Sequence, residues 1–255
     1  MKKDKIIKII EDVFPKENAE GWDNSGLIID FERKDINKVY LSVDILYDDI
    51  DKLDGVDMLI THHPLIFSGI KQIDNQEQSK IIKHLIKNEI VYYCAHTSFD
   101  IKKEGFYNFY KNKLSLKNTD FAIKINDDLG YGIKGELINI SLLSLANKLK
   151  TINHSKYVQI YKNNDRNERI ILLNGSGKDF LNQIIEENPD TVISSDFSYH
   201  DIQALRNAKI NFIMQDHNDS EKAFVDTIEN ILTSHDSKIE IIKNYTSFTD
   251  NIEII

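Results

Sequence analysis

The chain reads as an α/β protein on three observations. Apolar runs of strand length alternate with segments whose apolar residues recur at helical spacing. The run Asp57-Met58-Leu59-Ile60-Thr61 is echoed by Asp190-Thr191-Val192-Ile193-Ser194, each after a helix and before polar residues. No linker rich in Pro, Gly and Ser separates the halves. Strands separated by helices predict layered, largely parallel pairing. The echo predicts two loosely similar lobes, and the missing linker predicts that they pack.

Each element follows in order. In MKKDKIIKIIEDVF, residues Ile6, Ile9, Ile10, Val13 and Phe14 keep helical spacing while Lys8 and Asp12 interrupt them. That pattern is an amphipathic surface helix, not a signal peptide. SGLIIDF, KVYLSVDI and DMLITH read as strands, QSKIIKHLIKNE as a helix and IVYYCAH as the next strand. KKEGFYNFYKNKLSL reads as one long helix, followed by the glycine-rich LGYGIKGEL. SLLSLANKLK is helical, and YVQIYK and RIILLN are strands. KDFLNQIIEEN, SYHDIQALRNA and SEKAFVDTIENIL read as helices alternating with the strands DTVISSD, INFIMQD and KIEIIKNY.

Composition narrows the function. At 255 residues and 41% hydrophobic content, the chain can build one large domain or two compact lobes. The net charge of −9 argues against nucleic acid as the partner, since phosphate binding needs a clustered basic surface. No apolar run approaches the roughly 18 residues of a membrane span, so a soluble cytoplasmic protein without a membrane partner is expected. The single cysteine, Cys94, allows no intrachain disulfide and reads as a buried structural thiol.

Chemistry collects at the strand ends. Thr61-His62-His63-Pro64 places two histidines at the exit of an apolar run. Neighbouring side chains of a regular strand point to opposite faces, so the pair can meet one site only where the backbone turns, or it serves two nearby centres. Pro64 favours an end to the strand there. A metal site and a plain pair of loop histidines both remain open on this motif. Cys94-Ala95-His96-Thr97-Ser98-Phe99-Asp100, then Asp196 with His200, then Asp216, His217 and Glu221 fall at similar positions, where open α/β sheets place their sites. His217 and Glu221 share a face if the helix has begun by then; capping by Asp219 or Ser220 leaves His217 in the loop. His84, His154 and His235 read as solvated surface residues. Gly130-Tyr131-Gly132-Ile133-Lys134-Gly135 fits G-x-G-x-x-G, but GEL reads extended where a dinucleotide site needs a helix. Gly175-Ser176-Gly177 is a tight turn or an anion seat on backbone donors. Trp22-Asp23-Asn24 reads as a loop whose tryptophan packs its ring.

The combination GWDNSGL, THHPLIF, AHTSFD and DHNDSEKAF resembles the GTP cyclohydrolase 1 type 2 homologs, also called NGG-interacting-factor-3-like proteins, over nearly the whole chain. The resemblance implies two packed α/β lobes, about 1–125 plus 236–255 and about 126–235, with a dinuclear metal site in the cleft between them. By motif, the implied metal ligands are His62, His63, Asp100, His217 and Glu221. Asp100 is the natural bridge, because a carboxylate has two oxygens for two cations. The implied cofactors are two divalent transition-metal ions per chain, of Zn, Fe, Mn, Co or Ni. His96 and His200 are the candidate catalytic residues, as proton carriers. The expected function is metal-dependent hydrolysis of a small-molecule or nucleotide-like substrate; the alternative is a non-catalytic metal-binding or regulatory protein. A homohexamer is implied, and Phe106, Tyr107, Phe109 and Tyr110 either face a neighbouring copy or pack the core. The chain departs from the family pattern at Asp216, where glycine commonly precedes the histidine, at Ser195, where glycine usually precedes the aspartate, and at Ile133, in a stretch that elsewhere carries an arginine.

Overall fold

The longest buried runs become the central strands of two sheets in a computed structural model of the chain, which describes residues 1–33, 35–247, 249, 252 and 253. The chain first forms α1 (Lys3–Val13), β1 (Gly26–Ile29), β2 (Lys38–Ser42), β3 (Met58–Thr61), α2 (Glu77–Lys87), β4 (Val91–Cys94) and the one-turn α3 (Thr97–Asp100). It continues through α4 (Asn108–Leu114), β5 (Lys117–Asp120), β6 (Ile123–Lys124), β7 (Gly130–Tyr131), β8 (Ile133–Glu136), α5 (Leu142–Ile152) and β9 (Gln159–Tyr161). Then come β10 (Arg169–Ser176), α6 (Leu181–Glu186), β11 (Thr191–Ser195), α7 (Tyr199–Asn207), β12 (Asn211–Met214), α8 (His217–Glu221), α9 (Ala223–His235) and β13 (Glu240–Lys243). The contacts divide it into two units, Met1–Phe99 with Phe224–Tyr245, and Asp100–Ala223 with Thr246–Ile255.

The first unit holds a five-stranded sheet in the order β1-β4-β3-β2-β13. All pairs are parallel except β1 with β4 at the edge. Every residue of β3 and β4 is buried, as central parallel strands covered on both faces require. Tyr40, Leu59 and Tyr92 pack with Ile81 and Leu85 of α2 on one face. Alternation sends Val39, Leu41, Met58, Ile60 and Tyr93 to the other face, also buried. There Tyr93 donates its hydroxyl to Glu11 of α1 at 3.4 Å. The predicted amphipathic helix forms as α1 and buries Ile6, Ile9 and Ile10. Cys94 is fully buried, its thiol donating to the carbonyl of His62 at 3.0 Å.

The second unit holds a six-stranded sheet, β5-β8-β10-β11-β12-β9, beside the β6-β7 hairpin. Only its centre, β10-β11-β12, is parallel; β8, β5 and β9 add antiparallel. Its core includes Ile171, Val192, Leu205 and Phe212, with Phe197 stacked on Phe212 at 4.7 Å between ring centroids.

The sequence echo is a structural device that each unit uses separately. Asp57 Oδ2 accepts the backbone N–H groups of Asn37 and Lys38, at 2.8 and 3.1 Å, at the start of β2. Asp190 Oδ2 likewise accepts from Glu168 and Arg169, at 3.1 and 2.8 Å, at the start of β10. In each unit an aspartate entering a central strand satisfies two amides at the head of its parallel neighbour.

Local expectations change at glycines. The expected long helix over KKEGFYNFYKNKLSL breaks at Gly105, whose φ of −81° and ψ of −130° are not helical, and α4 starts only at Asn108. Phe106, Tyr107 and Tyr110 are buried within the chain, so core packing accounts for them. The G-x-G-x-x-G stretch forms β7 and β8, with no helix opening from its last glycine. His84 is half-buried on α2 and not the fully solvated residue expected, since the apolar face of that helix reaches to its side. Among the described residues no helix is long and apolar enough to cross a membrane.

Candidate metal centre

Three adjacent parallel strands aim their carboxyl ends at one place in the first unit. Asp44 lies two residues past β2, His62 and His63 directly follow β3, and His96 lies two residues past β4. The backbone turn that a shared site demands is present. Successive amides of His62 and His63 bond to successive carbonyls of Ser42 and Val43, at 3.2 and 2.9 Å. Thr61 Oγ1 donates to the His63 carbonyl at 2.6 Å, and the Tyr92 hydroxyl accepts from Leu65 N–H at 2.7 Å, holding the chain on either side of Pro64.

The result gathers three imidazoles. The ring centroids of His62, His63 and His96 lie 5.0, 5.2 and 5.4 Å apart. Each offers a nitrogen within 4.8 Å of those of the other two. Each ring is also committed at Nδ1: His62 to the Ala95 carbonyl at 3.0 Å, His63 to Asp44 at 3.0 Å and His96 to Asp23 at 2.8 Å. A carbonyl or carboxylate oxygen only accepts, so Nδ1 carries the proton and Nε2 keeps its lone pair. Metal-binding histidines are oriented in this way. The donor set therefore fits a divalent transition metal on its chemistry.

Asp23 explains the GWDNSGL motif, which sequence reading could not connect to chemistry. Its side chain is fully buried. Burial alone would raise its carboxyl, but hydrogen bonds from His96, Thr97 and Ser25 hold it far below the ordinary carboxylate range. It reaches His96 because β1 pairs antiparallel with β4, setting Gly26 opposite Cys94. The loop before β1 and the loop after β4 thus meet at one sheet edge. Trp22, beside it, is 58% exposed, with its ring 6.0 Å from that of His96 and 5.8 Å from that of Phe67.

The second unit presents another donor pair at the ends of β11 and β12. Asp216 is the N-cap of α8, accepting from Asp219 N–H at 3.2 Å, so the helix begins at His217. His217 and Glu221 therefore stand one turn apart on the same face, and His217 Nε2 lies 3.4 Å from Glu221 Oε1. His217 Nδ1 is held by Asp196, which follows β11 with a left-handed φ of +59°. Asp219, one of the capping alternatives, is instead buried against Lys222 at 2.7 Å. Gly175 approaches this pair closely. Its φ is +55°, and a Cβ there would lie 2.5 Å from Glu221 Oε1 and 3.0 Å from His217 Nε2. The turn's backbone donors are used internally: Gly175 N–H bonds to Ser220 Oγ and Gly177 N–H to Ser194 Oγ, each at 2.9 Å.

The fold thus gathers His62, His63 and His96 in one unit and pairs His217 with Glu221 in the other. Asp100 is half-buried at the last position of α3. His200 is exposed at the start of α7, its ring 5.4 Å from that of Tyr199. Asp23, Asp44 and Asp196 were not assigned roles by sequence; the signal available was a carboxylate just past a strand, which Asp44 and Asp196 share.

Comparison with known proteins gives the geometry a context. The family model for Duf34/NIF3 (NGG1p interacting factor 3) matches residues 1–248. A Clostridium perfringens protein named GTP cyclohydrolase 1 type 2 homolog is 31% identical over 256 residues, covering 95% of each chain. A Methanocaldococcus jannaschii protein of the same name is 32% identical over 204 residues, covering 78% of this chain and 82% of its own. The crystal structure of a Bacillus cereus protein related to NIF3 superposes with a TM-score of 0.89 at 20% identity, covering 100% of this chain and 99% of its own. The chain belongs to the Duf34/NIF3 family.

Proposed function

We propose that the chain is a metal-dependent hydrolase acting on a nucleotide-like small molecule. The observation that carries this reading is the commitment of all three imidazoles at Nδ1, which prepares His62 and His63 to present Nε2 to a cation and leaves Nε2 of His96 to exchange a proton. In the proposal His62, His63, Asp100, His217 and Glu221 hold two divalent transition-metal ions, with Asp100 serving both. Such ions, when bound, acidify water and polarise the bond under attack. Asp44, the Ala95 carbonyl and Asp196 keep the ligand rings from rotating. His96 holds and moves a proton at Nε2 while Asp23 keeps its other nitrogen occupied. His200, exposed on α7, is the second proton carrier in this reading. The names of the relatives suggest a purine nucleotide as the substrate class.

The test is turnover. Protein reconstituted separately with Zn, Fe, Mn, Co and Ni is offered GTP and a panel of nucleotides, followed by product chromatography. Hydrolysis is expected with at least one metal, and loss of it in His63→Ala. No turnover by any metal-loaded form across the panel would leave a metal-binding protein without this activity. We also propose a homohexamer in the cytoplasm. At 29.6 kDa per chain, light scattering should report about six times that mass, and a monomer at micromolar concentration would refute it.

A further inference from the structure

We infer that Trp22 and Phe67 form a stacking face that receives the planar nitrogen-heterocyclic base of a nucleotide beside the three-histidine site. The inference rests on the hydrolase reading for its site and adds the residues that would select the substrate.

A tryptophan usually buries most of its ring, because the indole carries a large apolar area. Trp22 leaves 58% of its surface open, and Phe67 leaves 52%. They touch each other, with centroids 5.8 Å apart and planes inclined at 45°. Two exposed aromatics in contact make a patch, not two scattered surface residues. The same indole is 6.0 Å from the His96 ring, edge-on. The patch is therefore continuous with the imidazole cluster.

Its position is held by polar bonds on both sides. Asp23, the next residue, takes hydrogen bonds from His96, Ser25 and both donors of Thr97. Asn24 Nδ2 donates to the carbonyl of Ile66, the residue before Phe67. The two loops that carry the rings are tied to each other and to the ring they adjoin. Such a preset face costs little ordering on binding, which is what a ring-stacking site needs. A base stacks on an aromatic face largely independently of its identity, so this face selects planarity and leaves ring substituents to other groups.

Trp22 is the only tryptophan of the chain, so its emission reports on this site alone. Metal-reconstituted full-length protein is titrated with guanosine 5′-monophosphate, cytidine 5′-monophosphate and nicotinamide mononucleotide, with ribose 5-phosphate as the ringless control. Saturable quenching is expected with at least one ring-bearing probe and not with ribose 5-phosphate. By calorimetry, Trp22→Leu and Phe67→Ala should each weaken that probe by roughly 5- to 150-fold, the scale of a lost base–aromatic stack. Trp22→Phe should recover affinity to within about threefold. Metal content should be unchanged in all three variants. The inference fails if no ring-bearing probe binds, if Trp22→Leu binds as wild type does, or if ribose 5-phosphate quenches equally. It also fails if Trp22→Leu lowers the assembly mass without changing affinity, since Trp22 would then be a contact between copies. Ring binding without turnover would refute the hydrolase reading alone; turnover with an unchanged KM in Trp22→Leu would refute this inference alone.

Discussion

At the residue scale, the candidate site depends on acceptors behind the donors. His62 is fixed by a backbone carbonyl, but His63 and His96 are fixed by Asp44 and Asp23. Removing such a partner frees the imidazole to rotate and lowers its basicity, which costs a metal site about 10- to 100-fold in affinity. Asp44→Asn should weaken metal binding by about that factor in competition with a fluorescent chelator, whereas Asp23→Asn, which releases the proton carrier His96, should keep metal affinity near wild type and lower turnover of the metal-loaded protein. Asp44→Asn should melt close to wild type, because Asp44 is partly exposed. Asp23→Asn should also lose stability, because its buried carboxylate serves several donors. Gly175→Ala should destabilise the chain by about 1–3 kcal/mol in urea titrations, from a left-handed backbone and the crowding of Glu221 and His217. An unchanged midpoint would show that the turn relaxes without disturbing the pair.

At the scale of elements, the positions of the donors follow from strand order. Parallel neighbours end on the same side, so β2, β3 and β4 bring Asp44, the histidine pair and His96 together although they are distant in sequence. The aspartates that open β3 and β11 secure that order. Asp57→Ala and Asp190→Ala should each cost about 1.5–3 kcal/mol per charged hydrogen bond lost, read as a shifted urea midpoint with an unchanged slope. A loss below about 0.5 kcal/mol at both positions would show that the shared pattern is ornamental. The central strands were legible because burial on both faces leaves a continuous apolar run, as in Met58–Thr61 and Val91–Cys94. The antiparallel edges were not, because direction is set by connections across the sheet and not by composition. Strand-end histidines were legible as candidates, and the helical reading of His217 and Glu221 holds. That Asp23 would reach His96 required the register of β1 on β4, which no local pattern carries. The break at Gly105 was missed because helical spacing of the surrounding aromatics outweighed one glycine.

At the scale of the molecule, the chain is a Duf34/NIF3 protein whose two units each end their parallel strands in oriented metal-capable side chains. The proposed ligands span residues 62 to 221, so a bound metal would add its free energy to the folded chain, about 2.7 kcal/mol when free metal is a hundredfold above its Kd. Metal binding by these side chains is the claim on which the rest depends. Elemental analysis of purified protein, before and after reconstitution with each candidate metal and removal of the excess, tests it most directly, with His62→Ala, Asp100→Ala and Glu221→Ala alongside. The account predicts two transition-metal ions per wild-type chain, at most one in His62→Ala and Glu221→Ala, and the largest loss in Asp100→Ala. Wild-type protein that retains no metal after reconstitution, or variants that all retain the wild-type content, would contradict it.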